Sequence, residues 1–312
     1  TRLSGIPVSV APTQLRLAGV SATRGESIRQ KNANVVELRT AALQPVRLRP
    51  VVRDTQIVLL RVGDNPRRSI SYPLDDLVGP ATTAETIAQW VERLVEPEGW
   101  GGENRLEIID GRLQAEQREQ VHYGILLLLE RLRLARGLPT RTSYPDELLR
   151  GGSNYRACLE RMAAPARFTF SRSTALTEVI NHWEAELGMP ILVDWPRLQQ
   201  LDLWPRSEIY CQADESNWAA ALDEALAPLG LAWTTFDGKS LRITTAEAAS
   251  TEMQFEVYPV GEGVNYDRAA VKMRLDNAAA GTASAWDEVS KTLLVRGSAA
   301  THRELVAIFY KP

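Results

Sequence analysis

Three histidines (His122, His182, His302), two cysteines (Cys158, Cys211) and several neighbouring carboxylates are the residues of this 312-residue chain whose types could do chemistry. A histidine metal site would need a second ligand one helical turn away or a Cys/His/Asp cluster, and none of the three histidines has one. The spacing therefore predicts helix-surface or capping roles for His122 and His302, and the same for His182 beside Trp183. A Ser/His/Asp triad has few possible bases here, and no Gly-x-Ser-x-Gly turn presents a nucleophile. Asp75-Asp76, Glu96 with Glu98, and Asp214-Glu215 are carboxylate pairs on paper, but such groups usually sit on solvated faces and helix ends. Gly99-Trp100-Gly101-Gly102 has the glycines of a phosphate loop without its Lys-Ser/Thr ending, so it reads as a strand-entry loop. Cys158 and Cys211 either pair or stay as two buried thiols. No catalytic, metal or cofactor site is expected, and the chain reads as not an enzyme.

Composition narrows the partners. The 36 Lys and Arg against 39 Asp and Glu give a net charge of -3, too balanced to steer toward phosphate backbones. Arg47, Arg49, Arg53, Arg61, Arg67 and Arg68 alternate in a way that a solvated strand face explains. The longest apolar run, Gly124 to Leu129, is six residues, far short of the ~20 that cross a bilayer as a helix. The chain opens at Thr1 without the basic start and apolar core of an export signal.

The elements that must position these residues occur twice. Laid over Gly188 to Asp237 at an offset of 183, Gly5 to Asp54 shows ten identities, among them Gly5/Gly188, Pro7/Pro190, Val10/Val193, Asn34/Asn217, Pro45/Pro228 and Asp54/Asp237. About three are expected from average composition. Tyr72-Pro73 then matches Tyr258-Pro259 and Trp100 matches Trp286 at offset 186, and Leu113/Leu293 and His122/His302 follow at offset 180. The change of offset falls in a loop, where length is most easily gained or lost.

The second copy is the fuller one. A strand at Arg167 to Phe170 leads into a helix striped by Leu176, Val179, Ile180, Trp183 and Leu187. Strands Ile191 to Val193 and Glu208 to Cys211 follow, then a helix capped by Ser216 with Trp218, Leu222, Leu226 and Leu229 inward. Leu231 to Trp233 and Leu241 to Ile243 flank an Asp237-Gly238 hairpin turn. The order is β-α-β-β-α-β-β. The first copy enters this order at Ile6 to Val10, so its sheet is expected to lack the opening strand. A companion of order β-α-β-β-α follows each. In the first copy it uses Ile70 to Leu74, a capping box at Thr82-x-x-Glu85, a stripe of Ile87, Trp90, Val91 and Leu94, a hairpin at Leu106 to Leu113, and a final helix along Val121, Ile125, Leu128, Leu129 and Leu132. In the second copy the companion begins at Phe255 to Tyr258 and is expected to be truncated after Leu305, Ile308 and Phe309.

The phrase Gly188 to Asp194, Asn217-Trp218, Leu226 to Leu231 and the closing hairpin resemble the secretin and TonB N-terminal short domain. Tyr72 to Leu77, Trp100, the Leu113 strand and the helix entered near His122 resemble the KH-like secretin N-domain that follows it. The expected architecture is thus α+β, in tandem small domains. A truncated short domain at 1-66 and a KH-like domain at 67-137 are joined by a linker at 138-165 to a short domain at 166-248 and a KH-like domain at 249-312. The resemblance implies a periplasmic or outer-membrane-associated module facing the periplasm. It would dock protein partners, whether envelope secretion components or copies of itself, without catalysis. No run of alternating strands follows to form a barrel, so this chain alone is not a pore. The alternative is a KH-like nucleic-acid-binding protein, which needs a basic Gly-x-x-Gly loop. Gly99 and Gly102 have that spacing but are flanked by Glu96, Glu98 and Glu103, the wrong charge for phosphate, and no nucleic acid is expected as partner. Trp195, Trp204 and Tyr210 stand where the first copy has Pro12, Ser21 and Ser27, and this asymmetry marks them as a partner-binding surface.

Overall fold

The computed structural model describes residues 8-10, 12-20, 42-43, 45-53, 56-61, 67-144, 149, 152-235, 239-260, 268-278 and 280-309. The Asp237-Gly238 turn, Ser21, Ser27 and Asn34 lie outside them. In chain order the first elements are β1 (Val8–Val10), α1 (Pro12–Leu17), β2 (Leu48–Arg53), β3 (Gln56–Arg61), β4 (Arg67–Pro73), α2 (Ala84–Leu94), β5 (Arg105–Ile109), β6 (Arg112–Arg118) and α3 (Glu119–Ala135). Then come α4 (Gly152–Met162), β7 (Pro165–Ala175), α5 (Leu176–Leu187), β8 (Ile191–Val193), α6 (Trp195–Leu198), β9 (Glu208–Asn217), α7 (Trp218–Leu226), β10 (Leu231–Thr235), β11 (Leu241–Thr245) and α8 (Ala246–Thr251). The last are β12 (Gln254–Pro259), α9 (Arg268–Asp276), β13 (Ala283–Asp287), β14 (Thr292–Gly297) and α10 (Ala299–Phe309). The protein is α+β with several small sheets. None of its described helices is long and apolar enough to cross a membrane.

Two compact units form, each from two separate stretches: Thr1–Gly63 with Ser153–Ala249, and Asp64–Gly152 with Ser250–Pro312. Compactness therefore does not follow chain order.

In the first unit, sheets β1-β3-β2 and β10-β11-β8 share a pattern, a short parallel strand on a hairpin. Val8 pairs with Ile57 and Ile191 with Leu241. A separate β7-β9 ribbon packs Phe168 against Trp183 and Trp218, with centroids 5.5 and 5.7 Å apart. Such contacts add to the burial that dominates this core. Asn217, not Ser216, caps α7, accepting the Ala220 N–H at 2.9 Å at the point where the ribbon ends and the helix begins. The stretch read as linker contributes α4, whose Cys158 and Met162 are fully buried in this core. Cys158 and Cys211 are thiols, not a disulfide. Burial pushes the Cys211 thiol up to about 11, so it carries little thiolate at neutral pH.

In the second unit, sheets β4-β6-β5 and β12-β14-β13 have the same antiparallel order. Asp110 (φ 50°) and Gly111 (φ 70°) form the two-residue turn between β5 and β6, the left-handed pair that a tight hairpin requires. Gly124 lets α3 pass close to Val95, since a Cβ there would lie 2.6 Å from the valine Cγ1. Thr83, not Thr82, caps α2, accepting the Thr86 N–H at 3.2 Å. The Thr82 hydroxyl is instead taken by Arg136 at 3.0 Å.

The matched histidines are not on the surface. His122 is 5% exposed and His302 is fully buried. Each ties the first turn of its helix to the first strand of its sheet. Nδ1 meets Tyr72 or Tyr258 at 2.8 or 2.7 Å, and Nε2 meets the carbonyl of Arg68 or Gln254 at 2.8 or 3.0 Å. A carbonyl only accepts, so Nε2–H donates and, in His302, Nδ1 of the neutral ring accepts a hydrogen bond from the Tyr258 hydroxyl. Trp100 and Trp286, matched in sequence, are not equivalent in space. Trp100 precedes β5 and donates to the Val95 carbonyl at 2.8 Å, whereas Trp286 lies on β13 opposite Leu293, as Ile108 lies opposite Leu113.

Burial holds the His302 pKa below 6.5. Above that value both folded and unfolded chains carry a neutral ring. As pH falls through it the unfolded chain gains a proton that the native state resists, so stability is lost with acidification. Melting between about pH 7.5 and pH 5 should therefore show a steeper fall in Tm for wild type than for His302→Gln, whose own Tm will be lower throughout. Parallel slopes would remove His302 as the source.

Candidate interaction surfaces

The three aromatic residues marked by the sequence divide between inside and outside. Trp195 opens α6 and is 3% exposed within the first unit's core, beside fully buried Leu198. Trp204 (38% exposed) and Tyr210 (67%) face solvent.

Trp204 is held by its own loop. Its N–H donates to Ser207 Oγ at 2.8 Å, its indole N–H donates to Asp202 at 3.1 Å, and its carbonyl accepts the Ser207 N–H at 2.9 Å. The Thr177 N–H and hydroxyl both donate to the Pro205 carbonyl, at 3.1 and 3.0 Å, and fasten the loop to the start of α5. Tyr210 is on β9, whose partner β7 shifts register between Phe170 and Thr174 beside it. A large aromatic side chain on an already ordered loop loses little conformational freedom when covered, as an interface anchor requires.

A second surface is already occupied, within the second unit. Val257 and Leu294, cross-strand neighbours on β12 and β14, are buried in one cluster with Ile87 and Val91 of α2 and Leu128, Leu129 and Leu132 of α3. One face of the β12-β14-β13 sheet thus lies under two helices from the first half of the chain. The corresponding face of the β4-β6-β5 sheet carries Ser71, Gln114 and Glu107 in register, and is polar.

Three charged residues of α3, Glu130, Arg131 and Arg133, are buried, Arg131 at this contact and the other two against their own half of the chain. Arg131 donates to the carbonyls of Leu149 (2.9 Å) and Phe255, and stands 3.5 Å from Glu256. Arg133 binds Asp76 (2.8 and 3.1 Å), Glu130 (2.8 Å) and the Pro73 carbonyl (2.9 Å). Just past the helix, Arg136 grips Asp287 through two bonds of 2.6 and 3.0 Å. Asp287 is fully buried and also accepts the Ser290 N–H at 3.2 Å and its hydroxyl. Burial pushes the Asp287 carboxyl up, but the hydrogen bonds from Arg136 and Ser290 and the charge of Arg136 outweigh it and leave the pKa below 3.8. Sequence reading missed this network. The only available signal was three arginines, 131, 133 and 136, on and just after an otherwise apolar helix.

No group of three or more His, Cys, Asp or Glu suited to a metal ion occurs among the described residues.

Comparison with known proteins finds no matching family model and no matching curated protein. Among solved structures, about half of the chain is similar to secretin N-terminal domains. A chain of the InvG N0N1:SpaPQR:PrgHK assembly from the Salmonella SPI-1 injectisome shares 18% identity over 47% of this chain and 92% of its own, with a TM-score of 0.23. In the enterotoxigenic Escherichia coli GspC-GspD complex of the type II secretion system the match is 19% identical over 46% and 96%, with a TM-score of 0.19. The N-terminal domain of the secretin XcpQ from Pseudomonas aeruginosa matches at 11% identity over 47% and 64%, with a TM-score of 0.18.

Proposed function

We propose that this chain is a non-enzymatic protein-interaction module of the bacterial cell envelope, secretin-like, built from two tandem copies of a short domain and a KH-like domain. The observation that carries the reading is the covered sheet face. An apolar surface on one small α+β domain is matched to helices of another of the same strand order, which is how a domain made for docking is built. The paired Tyr–His ties and the shared pattern of the two β-hairpin sheets support the duplication. The domain limits remain 1-66, 67-137, 166-248 and 249-312, with α4 as a docked part of the intervening segment. Trp204 and Tyr210 form the partner surface.

Fractionation of the source cell with an antibody to this region, recording compartment and native mass, tests the reading. An envelope fraction facing the periplasm is expected, and a cytosolic polypeptide retained on RNA at low salt would overturn it. Trp204→Ala combined with Tyr210→Ala should leave stability within about 1 kcal/mol of wild type, since both side chains are exposed. The same pair should abolish photocrosslinks from neighbouring surface positions to envelope proteins. Unchanged crosslinks would remove these residues from the partner surface.

A further inference from the structure

Beside the covered sheet face, within the second unit, a cleft of about 340 Å³ runs along β13. β13 is the end strand of its sheet, and its outer edge pairs with no other strand among the described residues. The walls are Trp90 and Arg93 of α2, Val271, Lys272 and Leu275 of α9, and Trp286 of β13. The lining is thus mainly aromatic and aliphatic, with cations and no carboxylate. Lys272 is engaged by Asp276 at 2.8 Å, one turn along its helix. Arg93 is exposed and has no ion-pair partner among the described residues. An apolar slot with a single available guanidinium is complementary to a molecule with an apolar body and one acidic group, and the planar guanidinium suits a carboxylate in particular.

We propose that this cleft binds a small amphiphilic anion, its aromatic or aliphatic body between α2 and α9 and its acidic group on Arg93. This site is separate from Trp204 and Tyr210 but rests on the packing at the covered sheet face. The helices that form its walls come from opposite halves of the chain, so it exists only while the two halves are packed.

The test uses the whole chain with anilinonaphthalene sulfonate as fluorescent probe and decanoate and decanol as competitors. Decanoate should displace the probe about tenfold more effectively than decanol, the scale of one charge-assisted hydrogen bond. Arg93→Glu should erase that preference, while Arg105→Glu, an exposed cation on another strand, should keep it. Trp90→Ala should weaken probe and decanoate together. Arg93 is a surface residue, so its variant keeps the test valid even where Trp90→Ala does not fold. Equal displacement by decanoate and decanol in wild type, a preference that survives Arg93→Glu, or no displacement up to about 1 mM would each overturn the site.

Discussion

Asp287→Ala is expected to cost the second unit about 3-5 kcal/mol in a denaturant melt, one of the two largest effects anticipated for a single change in this protein. The carboxylate is fully buried and Arg136 is nearly so, which leaves the guanidinium without its counter-charge in a site that water does not reach. Asp287→Asn keeps the volume and loses the charge. It should recover only a small part of the loss, since an amide can accept from Arg136 but cannot neutralise it. The double change Arg136→Met with Asp287→Leu should cost clearly less than the sum of the single changes, because removing both members also removes the need to desolvate them. Additive losses would show that the two residues act independently. Acid should act on the same bond. The folded pKa lies below 3.8, so its stabilisation is present above that value and is lost as pH falls through the lowered one.

Leu294→Lys is the second. The side chain is fully buried between its sheet and the helices α2 and α3. An ammonium there has no described partner to meet and cannot reach solvent without parting the sheet from the helices. A loss above about 4 kcal/mol is expected, with exposure of protease sites between the halves. Gln114, at the corresponding place on the β4-β6-β5 sheet, faces outward and bonds Ser69 at 3.1 Å. Gln114→Lys should therefore change stability by less than about 1 kcal/mol. Equal effects at the two positions would mean that the sheets are not differentiated into a covered and an open face, and the docking reading would fall with that result.

Much of the architecture was legible because it is written locally. The stripe Ile87, Trp90, Val91, Leu94 and the run Val121, Ile125, Leu128, Leu129, Leu132 have the period of a helix with one buried side, and all but the half-buried Trp90 are buried. Asp110-Gly111 specifies its turn because few other pairs tolerate two positive φ values. Caps were placed one residue early, at Thr82 and Ser216. Adjacent polar residues compete for that role, and Thr82 is taken by Arg136, distant in sequence. Of the three aromatic residues singled out by the sequence, Trp204 and Tyr210 are exposed and Trp195 is not. An aromatic residue absent from the other half is equally a sign of exposure or of a different core, and Trp195 took the second course.

The sequence by itself determined most of the strands and helices, the Asp110-Gly111 turn and the apolar side of the longer helices, and it missed α4, α6 and α8. Only the tertiary structure decided which polar sides are also covered. Glu130, Arg131 and Arg133 are buried, Arg133 on Asp76 and the Pro73 carbonyl of its own half, Arg131 on the Phe255 carbonyl of the other half, and Arg136 meets Asp287 across 151 positions. Local periodicity reports how a segment packs within its own turn or hairpin. It carries no record of a surface brought from far along the chain, because that contact is fixed by the combined shape and charge of two finished domains.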